Sequence, residues 1–465
     1  MDYGIYQSPF SWRYGTPKMR AIWGEENKRL IWRQIWVAMA KAQNNYGLVD
    51  SEQVKDLEKH ANDLNIERSL EIEADIKHDL MAEVKAFAEQ CELGGGIIHL
   101  GATSMDVVDN TDAIRVRQSL EITLEKTAGL LMAFCDLIAK YAHLPVMAYT
   151  HIQPAEPSSL GYRLAVYTQD LLEDWKNLKR IYDAYRGKGF KGAVGTAAAY
   201  GDLIGLEHFD EFEGLLSESL DLSFFPIATQ TYTRKQDYDL LCALAGLGAT
   251  IYKFAFDVRL LQTPSIGEIS EPFGDKQVGS SAMPFKRNPV NAEKINSLAR
   301  ALAVLPQVAW QNAGHSLLER TLDDSANRRT TLPEAFLTVD EILRVSTRMV
   351  KGLQVHEMAI KRNLDAYAPF ACTERVMMAA AKAGADRQEM HERLREHALK
   401  AWQSVMQGKE NPLIEMLQSD KNITVFVKSD EIKELSNVND YLGIAPARAL
   451  EMIKIVKQNL NIELR

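Results

Sequence analysis

Four stretches of the 465-residue chain gather hydroxyl, imidazole, cationic and glycine residues at spacings that could do chemistry. The first is His99-Leu100-Gly101-Ala102-Thr103-Ser104-Met105-Asp106. Thr103 or Ser104 can cap a helix, with Asp106 in its first turn. The same free N–H groups and two hydroxyls suit a carboxylate. The second is Thr150-His151-Ile152-Gln153-Pro154-Ala155-Glu156-Pro157, in which two prolines hold the chain before a long helix. His151 reads either as a loop residue or, with the near-neutral pKa of imidazole, as a general acid or base. The third runs from Gly279 to Pro289, with two serines, Lys286, Arg287 and Asn288. Two hydroxyls, two cations and an amide are what an anion site would use. Gly274 and Gly279 would let the stretch move as a lid, and a plain surface loop is the alternative. The fourth is Glu319-Arg320-Thr321-Leu322-Asp323-Asp324-Ser325-Ala326-Asn327-Arg328-Arg329. Its arginines could clamp a phosphate, or form a solvated helix face with i,i+4 pairs.

Helices must position these groups. Leu120, Leu124, Leu131, Phe134, Ile138 and Tyr141 recur mostly at three- and four-residue steps from about Asp106. A second stripe runs from Leu160 to Tyr185, a third from Leu240 to Leu261, and a fourth from Ile295 to Val308 with Pro306 as a kink. Helices this long pack side by side as a bundle. Strand signals are few: Phe224–Ile227 is broken by Pro226, and Ile423–Val427 is the best β-like run. The fold class is therefore mainly α. Shorter, charge-rich helices fill residues 1–100 and about 356–465. Boundaries near 104 and 355 divide the chain into an N-terminal helical domain (1–103), a central long-helix bundle with the glycine-serine loop (104–355) and a C-terminal helical domain (356–465). Length alone allows about three domains at roughly 150 residues each.

Composition excludes several classes. With 46% hydrophobic and 25% charged residues the chain is an ordinary globular one, not a disordered or collagen-like one. A formal net charge of −9 disfavours nucleic acid and anionic membranes as partners, though not a small anion held locally. Cys91, Cys135, Cys242 and Cys372 stand far apart, which fits free thiols in a reducing cytoplasm. The N-terminal MDYGIYQSPFSWRYG lacks the pattern of a secretory signal, and no window of about 18 apolar residues suggests a membrane span.

Two motifs are decoys. Gly187-Lys188-Gly189-Phe190-Lys191-Gly192 matches G-x-G-x-x-G but follows a helix without a βαβ context, so it reads as a flexible turn. His391 and His397 are six residues apart, which puts them about 120° apart on a helix rather than on one metal-binding face.

Taken together, the four stretches resemble the fumarase/aspartase superfamily. GSSAMPFKRNP is similar to its signature loop, and the spacing from TSMD through THIQPA to that loop is similar too. Within the superfamily the resemblance narrows to the adenylosuccinate lyase family, above all its animal-type branch. IIHLGATSMDVVDNTD, QTYTRK, SSAMPFKRNP and ERTLDDSANRR carry it, from Ser11-Trp12-Arg13-Tyr14 to about residue 400.

The resemblance implies a three-domain fumarase/aspartase-like fold and a carbon–nitrogen lyase that uses no cofactor and no metal. It implies β-elimination of fumarate from adenylosuccinate, giving AMP, and from succinyl-aminoimidazole carboxamide ribotide in purine biosynthesis. Such chemistry needs a base for a weakly acidic C–H, donors for the charge that builds on the adjacent carboxylate, and an acid for the leaving nitrogen. By the family's pattern Ser280 is the base and His151 the acid. Residue chemistry alone does not select Ser280 over His78 or His151. Lys286 and Asn288 would steady the loop and the carboxylates, while Thr103, Ser104 and Gln230 would hold the succinyl part and the base. His78 and Asp79 match a basic-His-Asp element, with His78 at the phosphate. Arg13, Tyr14, Arg320, Ser325 and Arg329 match nucleotide-binding positions. Lys77 stands where the family usually has Arg, keeping the charge but losing the bidentate fork. Lys294 likewise replaces an Arg of animal-type relatives.

The resemblance further implies a homotetramer whose active sites draw on three chains, with a small purine nucleotide as partner. A sister lyase acting on another succinyl adduct, such as argininosuccinate, would have little need of the cluster at His78, Arg320, Ser325 and Arg329. A crystallin-like structural recruit of the fold would have little need of Ser280, His151 and Lys286.

Overall fold

The apolar stripes become helices, and the helices supply nearly all regular structure in the computed structural model, which describes residues 4–462. Met1, Asp2 and Tyr3 of the N-terminal stretch lie outside the described residues. In chain order, the elements that matter here begin with α1 (Glu25–Asn44), α2 (Ile66–Ile76) and α3 (Asp79–Ala88). Next come α4 (Ser104–Tyr141), the hairpin β1 (Pro145–Thr150) and β2 (Gln153–Ser159), and α5 (Leu160–Ala184). Then follow α6 (Lys235–Leu261), α7 (Val290–Leu302), α8 (Leu305–Gly314) and α9 (Asp323–Lys351). The chain continues with α10 (Glu357–Lys382), α11 (Arg387–Met406) and α12 (Lys421–Thr424). At about 1.5 Å per residue, the 38 residues of α4 extend roughly 57 Å.

Chain contacts divide the protein into two units, each built from three stretches. Unit 1 comprises Met1–Thr127, Asp174–Ala249 and Leu298–Arg344. Unit 2 comprises Ala128–Glu173, Thr250–Ser297 and Val345–Arg465. In unit 1 one apolar cluster forms around Ile31, Trp32, Ile35, Trp36 and Met39 of α1, packed with Leu80, Phe87, Tyr200 and Phe212. Within it Arg29 and Arg33 both donate to Glu83, at 2.8 Å each, and Arg33 stacks 4.5 Å over Phe87. In unit 2, Phe134, Tyr167 and Phe254 meet edge to face, with ring centroids 5.0 and 5.4 Å apart. A separate cluster there joins Val376, Met390, Leu394, Leu413 and Ile423.

Several expectations fail, for local reasons. Pro306 does not kink one helix. α7 ends at Leu302, and Pro306 sits in the first turn of α8, where its missing N–H leaves no bond unmade. The run Ile423–Val427 is not a strand. Asp420 caps α12 by accepting the N–H of Asn422 at 2.8 Å, and Ile423 and Val427, four residues apart, are both fully buried. The Val427 N–H bonds back to the Ile423 carbonyl at 3.0 Å, and burial of this turn outweighs the β preference of branched side chains. Nor are the flanking helices all short: α10 has 26 residues, with an internal proline, Pro369, that interrupts the visible pattern.

Helix α6 is long and apolar enough to cross a membrane by length and composition alone, which the bare sequence did not suggest. Half of that window is buried in the protein, and its Asp237 accepts a bond from Arg328, so α6 is read as a core helix. The decoy Gly187–Gly192 is not a flexible turn either, because all six residues are buried. His397, the other decoy, bonds Asp420 at 2.9 Å. Burial pushes the Asp420 carboxyl up, but His397, the Asn422 N–H and Arg393 outweigh it and hold its pKa at about 2.

Candidate active site

In unit 1 the TSMD, QTYTRK and ERTLDDSANRR stretches interlock through buried charge. Arg234 forms a fork on Asp109, with both bonds at 3.1 Å, and donates to Asp324 at 2.6 Å. Arg328 donates to Asp237 at 2.8 Å, Asp112 at 3.0 Å and the Tyr232 hydroxyl at 2.6 Å. Arg320 reaches the second oxygen of Asp324 at 2.7 Å. Burial pushes the Asp324 carboxyl up, but the two guanidiniums outweigh it and hold it below the usual range. Backbone joins the stretches as well, since the Gln230 N–H donates to the Glu319 carbonyl at 3.1 Å.

This lattice walls a cavity of about 160 Å³. Asp79, Arg320, Ser325 and Arg329 line it, together with Trp23, Glu25, Lys28, Trp32, Met105, Asp112, Arg115, Arg234, Asp324 and Arg328. Six cationic side chains and four carboxylates line it, with Asp109 and Asp237 paired behind Arg234 and Arg328. Arg329 differs from its neighbour Arg328. Its side chain is 66% exposed, and Asp79 takes one of its five donors at 2.9 Å. The remaining fork geometry suits a phosphate or carboxylate.

A corner beside the cavity joins α3 to α4. His78 caps α3: its Nδ1 accepts the Met81 N–H at 3.3 Å, which leaves the neutral ring's proton on Nε2. That Nε2 lies 3.5 Å from Ser104 Oγ. Thr103 does not cap α4 with its own hydroxyl in any described bond. Instead, Asp106 Oδ2 reaches back to the Thr103 N–H at 3.0 Å. His99 accepts from Trp36 Nε1 at 3.2 Å, and burial holds its imidazole below the usual range despite the nearby Asp106.

Three predicted binding residues stand elsewhere in unit 1. Lys77 adopts a left-handed conformation at the end of α2, φ 57°, and its ammonium folds back to the Ala74 carbonyl. Arg13 stacks 5.5 Å over Trp12, and Tyr14 meets Phe10 edge-on at 5.7 Å. None of the three lines the cavity.

Unit 2 carries His151, Ser280, Lys286 and Asn288. His151 and Ile152 form the two-residue tip of the β1–β2 hairpin, where Thr150 pairs with Gln153. Both have positive φ, 54° and 61°, the backbone of a type I′ turn that normally takes Asn-Gly. A β-branched residue there is strained, and such strain clusters at functional sites. The tip holds the His151 imidazole out into solvent. Behind it, Arg163 anchors the hairpin by donating to the Met147 carbonyl at 2.6 Å and to Glu268 at 3.1 Å.

The glycine-serine loop is tied to itself. Asn288 Nδ2 donates to the Gly279 carbonyl at 2.8 Å, closing the segment between them. Gly279 has no alternative, because a Cβ there would lie 2.0 Å from the Lys286 carbonyl oxygen. Inside the loop, Ser280 Oγ accepts the backbone N–H groups of Met283 at 3.0 Å and Ala282 at 3.3 Å. Lys286 is exposed. Among the described residues no cluster of His, Cys, Asp and Glu has metal-holding geometry.

Comparison with known proteins matches this arrangement at two levels. A family model described as Lyase matches residues 13–303, and one described as Adenylosuccinate lyase C-terminus matches residues 369–450. The adenylosuccinate lyase of Saccharomyces cerevisiae is 38% identical, covering 99% of this chain and 96% of its own length. The chain belongs to the adenylosuccinate lyase family. The enzyme of that name from Pyrococcus abyssi is 35% identical over 97% of this chain and 98% of its own. Membership makes the protein a lyase, and the match runs beyond residue 400, where the visible motifs stop.

Solved structures extend the likeness in fold alone. A fumarate lyase from Mesorhizobium sp. BNC1 superposes with a TM-score of 0.84 at 23% identity, covering 97% of this chain and 99% of that one. A 3-carboxy-cis,cis-muconate lactonizing enzyme from Pseudomonas putida gives 0.85 at 24% identity, covering 97% and 100%.

Motif alone misses the far wall of the cavity in this adenylosuccinate lyase family member. Trp23, Lys28, Trp32 and Arg115 come from residues that look like ordinary amphipathic helix. It also underrates Arg234 and Arg328, whose role as struts becomes visible only when their carboxylate partners on α4 are brought beside them.

Proposed function

We propose that this lyase eliminates fumarate from adenylosuccinate, releasing AMP, and from succinyl-aminoimidazole carboxamide ribotide. The observation that carries the reading is the arginine-lined cavity with Arg320, Ser325 and the largely exposed Arg329 on its wall. A succinyl adduct without a phosphate has little use for it. Arg320, Ser325 and Arg329 then hold the nucleotide, with Asp79 on the same wall and His78 at the corner beside it. Thr103, Ser104, Gln230, Lys286 and Asn288 hold the succinyl carboxylates and the loop.

Ser280 takes the β-proton and His151 protonates the leaving nitrogen. The C–H electron pair becomes the new C=C bond as the C–N bond breaks. A serine is a poor base unless its alkoxide is stabilised. The two N–H groups on Ser280 Oγ favour the charged form, as donors to an anion do. The protein works in the cytoplasm as a homotetramer, and each site takes residues from three chains. Exposed Val166 of α5 and Phe256 and Leu260 of α6 support this, as an apolar surface that other copies would cover.

Purified protein with adenylosuccinate should yield AMP and fumarate without added metal. Absence of turnover with both purine substrates sinks the proposal. Ser280→Ala and His151→Ala should each lower kcat on the order of 10²–10⁴-fold, the usual scale of a general base or acid, at unchanged melting temperature. Near-normal activity in either variant removes that residue's role.

A further inference from the structure

The buried Gly187–Gly192 loop has no part in the function derived above, yet it grips the first turn of α4. Lys188 is fully buried and donates to Asp106 Oδ1 and, at 2.9 Å, to the Gly192 carbonyl. The Gly192 N–H reaches the same carboxylate oxygen at 3.2 Å. One turn along, Asn110 accepts from the Gly189 N–H and donates to the Gly189 carbonyl, both at 3.1 Å. Gly187 and Gly189 permit this closeness: a Cβ would lie 2.4 Å from Asn110 Oδ1 at the first and 2.2 Å from Glu213 Oε1 at the second.

Asp106 is the centre of the arrangement. It is fully buried, and its other oxygen accepts the Thr103 N–H at 3.0 Å and the Tyr200 hydroxyl at 3.3 Å. The carboxylate therefore fixes the backbone from which Thr103 and Ser104 project, beside His78. Its charge, left alone, would oppose any anion at this end of α4. A helix N-terminus carries about half a positive charge, and a full negative charge in the first turn would cancel it. Lys188 removes that conflict. A buried ion pair is weak evidence for stability, because apolar residues of similar volume often serve as well or better. The position of this pair, one turn from the predicted succinyl-binding hydroxyls, supplies a reason for it.

We infer that Lys188 is a positioning residue of the lyase reaction. By neutralising Asp106 it fixes the Thr103–Ser104 corner and leaves the N-terminus of α4 electropositive toward a substrate carboxylate. The inference rests on the reading of Thr103 and Ser104 as succinyl-binding residues.

Lys188→Met leaves Asp106 unpaired and should raise KM for adenylosuccinate roughly tenfold while changing kcat less. Partial unfolding would lower apparent kcat and leave KM alone, so the split separates positioning from simple structural loss. The double variant Lys188→Met/Asp106→Asn removes both charges and keeps an acceptor for the Thr103 N–H, and its KM should return to within about threefold of the parent. An unchanged KM in the single variant overturns the inference. So does a raised KM in the double variant, even where the single variant yields no folded protein. Hydrogen exchange at amides 103–107 reads the same corner without turnover: it should be faster in Lys188→Met and return toward the parental rate in the double variant, and parental exchange in Lys188→Met or raised exchange in the double variant overturns the role. Failure of the parent protein to turn over either purine substrate is a failure of the functional reading, and the exchange measurement still decides for Lys188.

Discussion

In unit 1 the arginines Arg234 and Arg328 at the cavity are clamped by carboxylates, Arg234 by buried Asp109 and Asp324, Arg328 by half-buried Asp112 and buried Asp237. In unit 2, His151 and Ser280 are held by backbone: a two-residue turn with positive φ in one case, two N–H donors in the other. The contrast is between two ways of fixing a functional group. A charged lattice sets a field and resists rearrangement, because each ion would be left buried alone if its partner moved. A backbone frame positions the reactive side chain through neutral peptide groups and sets no opposite charge against it. Binding of a polyanion suits the first arrangement and proton transfer the second.

Adjacent arginines offer the sharpest way to break this comparison. Arg328→Met should destabilise the fold by about 3–5 kcal/mol, since it strands the buried carboxylate of Asp237. Arg329→Met removes only an exposed pair, worth about 0–1 kcal/mol, but should raise KM roughly tenfold. Denaturant melts and steady-state kinetics on both variants test it, and equal stability losses would dissolve the distinction. A smaller effect should come with pH. The unfolded chain protonates His99 near its ordinary pKa of about 6.5, whereas burial lowers the folded value. The contribution is therefore complete above that pH and is lost as pH falls from about 6.5 toward the folded value. His99→Asn should flatten the fall in urea midpoint between about pH 7.5 and 5, by no more than about 1 kcal/mol. An unaltered slope would assign the acid sensitivity elsewhere. Smallest of all, Ile152→Gly relieves a left-handed β-branched residue and should raise stability by up to about 1 kcal/mol. A lower melting temperature would mean that the hairpin tip is not strained.

The long stripes of α4, α5 and α6 could be read directly, because their leucines and aromatics recur at the helical period and stay buried. Hairpin β1–β2 could not, because Pro154 and Pro157 break the alternation a strand normally shows, and both lie in β2 of a two-stranded sheet, whose strands are all edges. Arg320, Ser325 and Arg329 of the predicted nucleotide set do line one cavity. Arg13, Tyr14 and Lys77 do not, and nothing in their local sequence distinguishes them from the others. The buried state of the Gly187–Gly192 loop is not legible in the sequence, because burial of a lysine has no signature in the one-dimensional pattern. Its carboxylate partner lies 82 residues away.

The tie between Asn288 and Gly279 has a mechanical consequence. The loop's closing bond and both donors on Ser280 lie within the segment 279–288. Such a segment is a preassembled part on a pivot. Rotation about the chain on either side would carry the serine and its two donors together, breaking none of those three bonds. The cost of motion would then fall on the outward ties alone, such as the bond from Gln262 to the Arg287 carbonyl. A catalytic group mounted in this way need not be reassembled each time it is delivered.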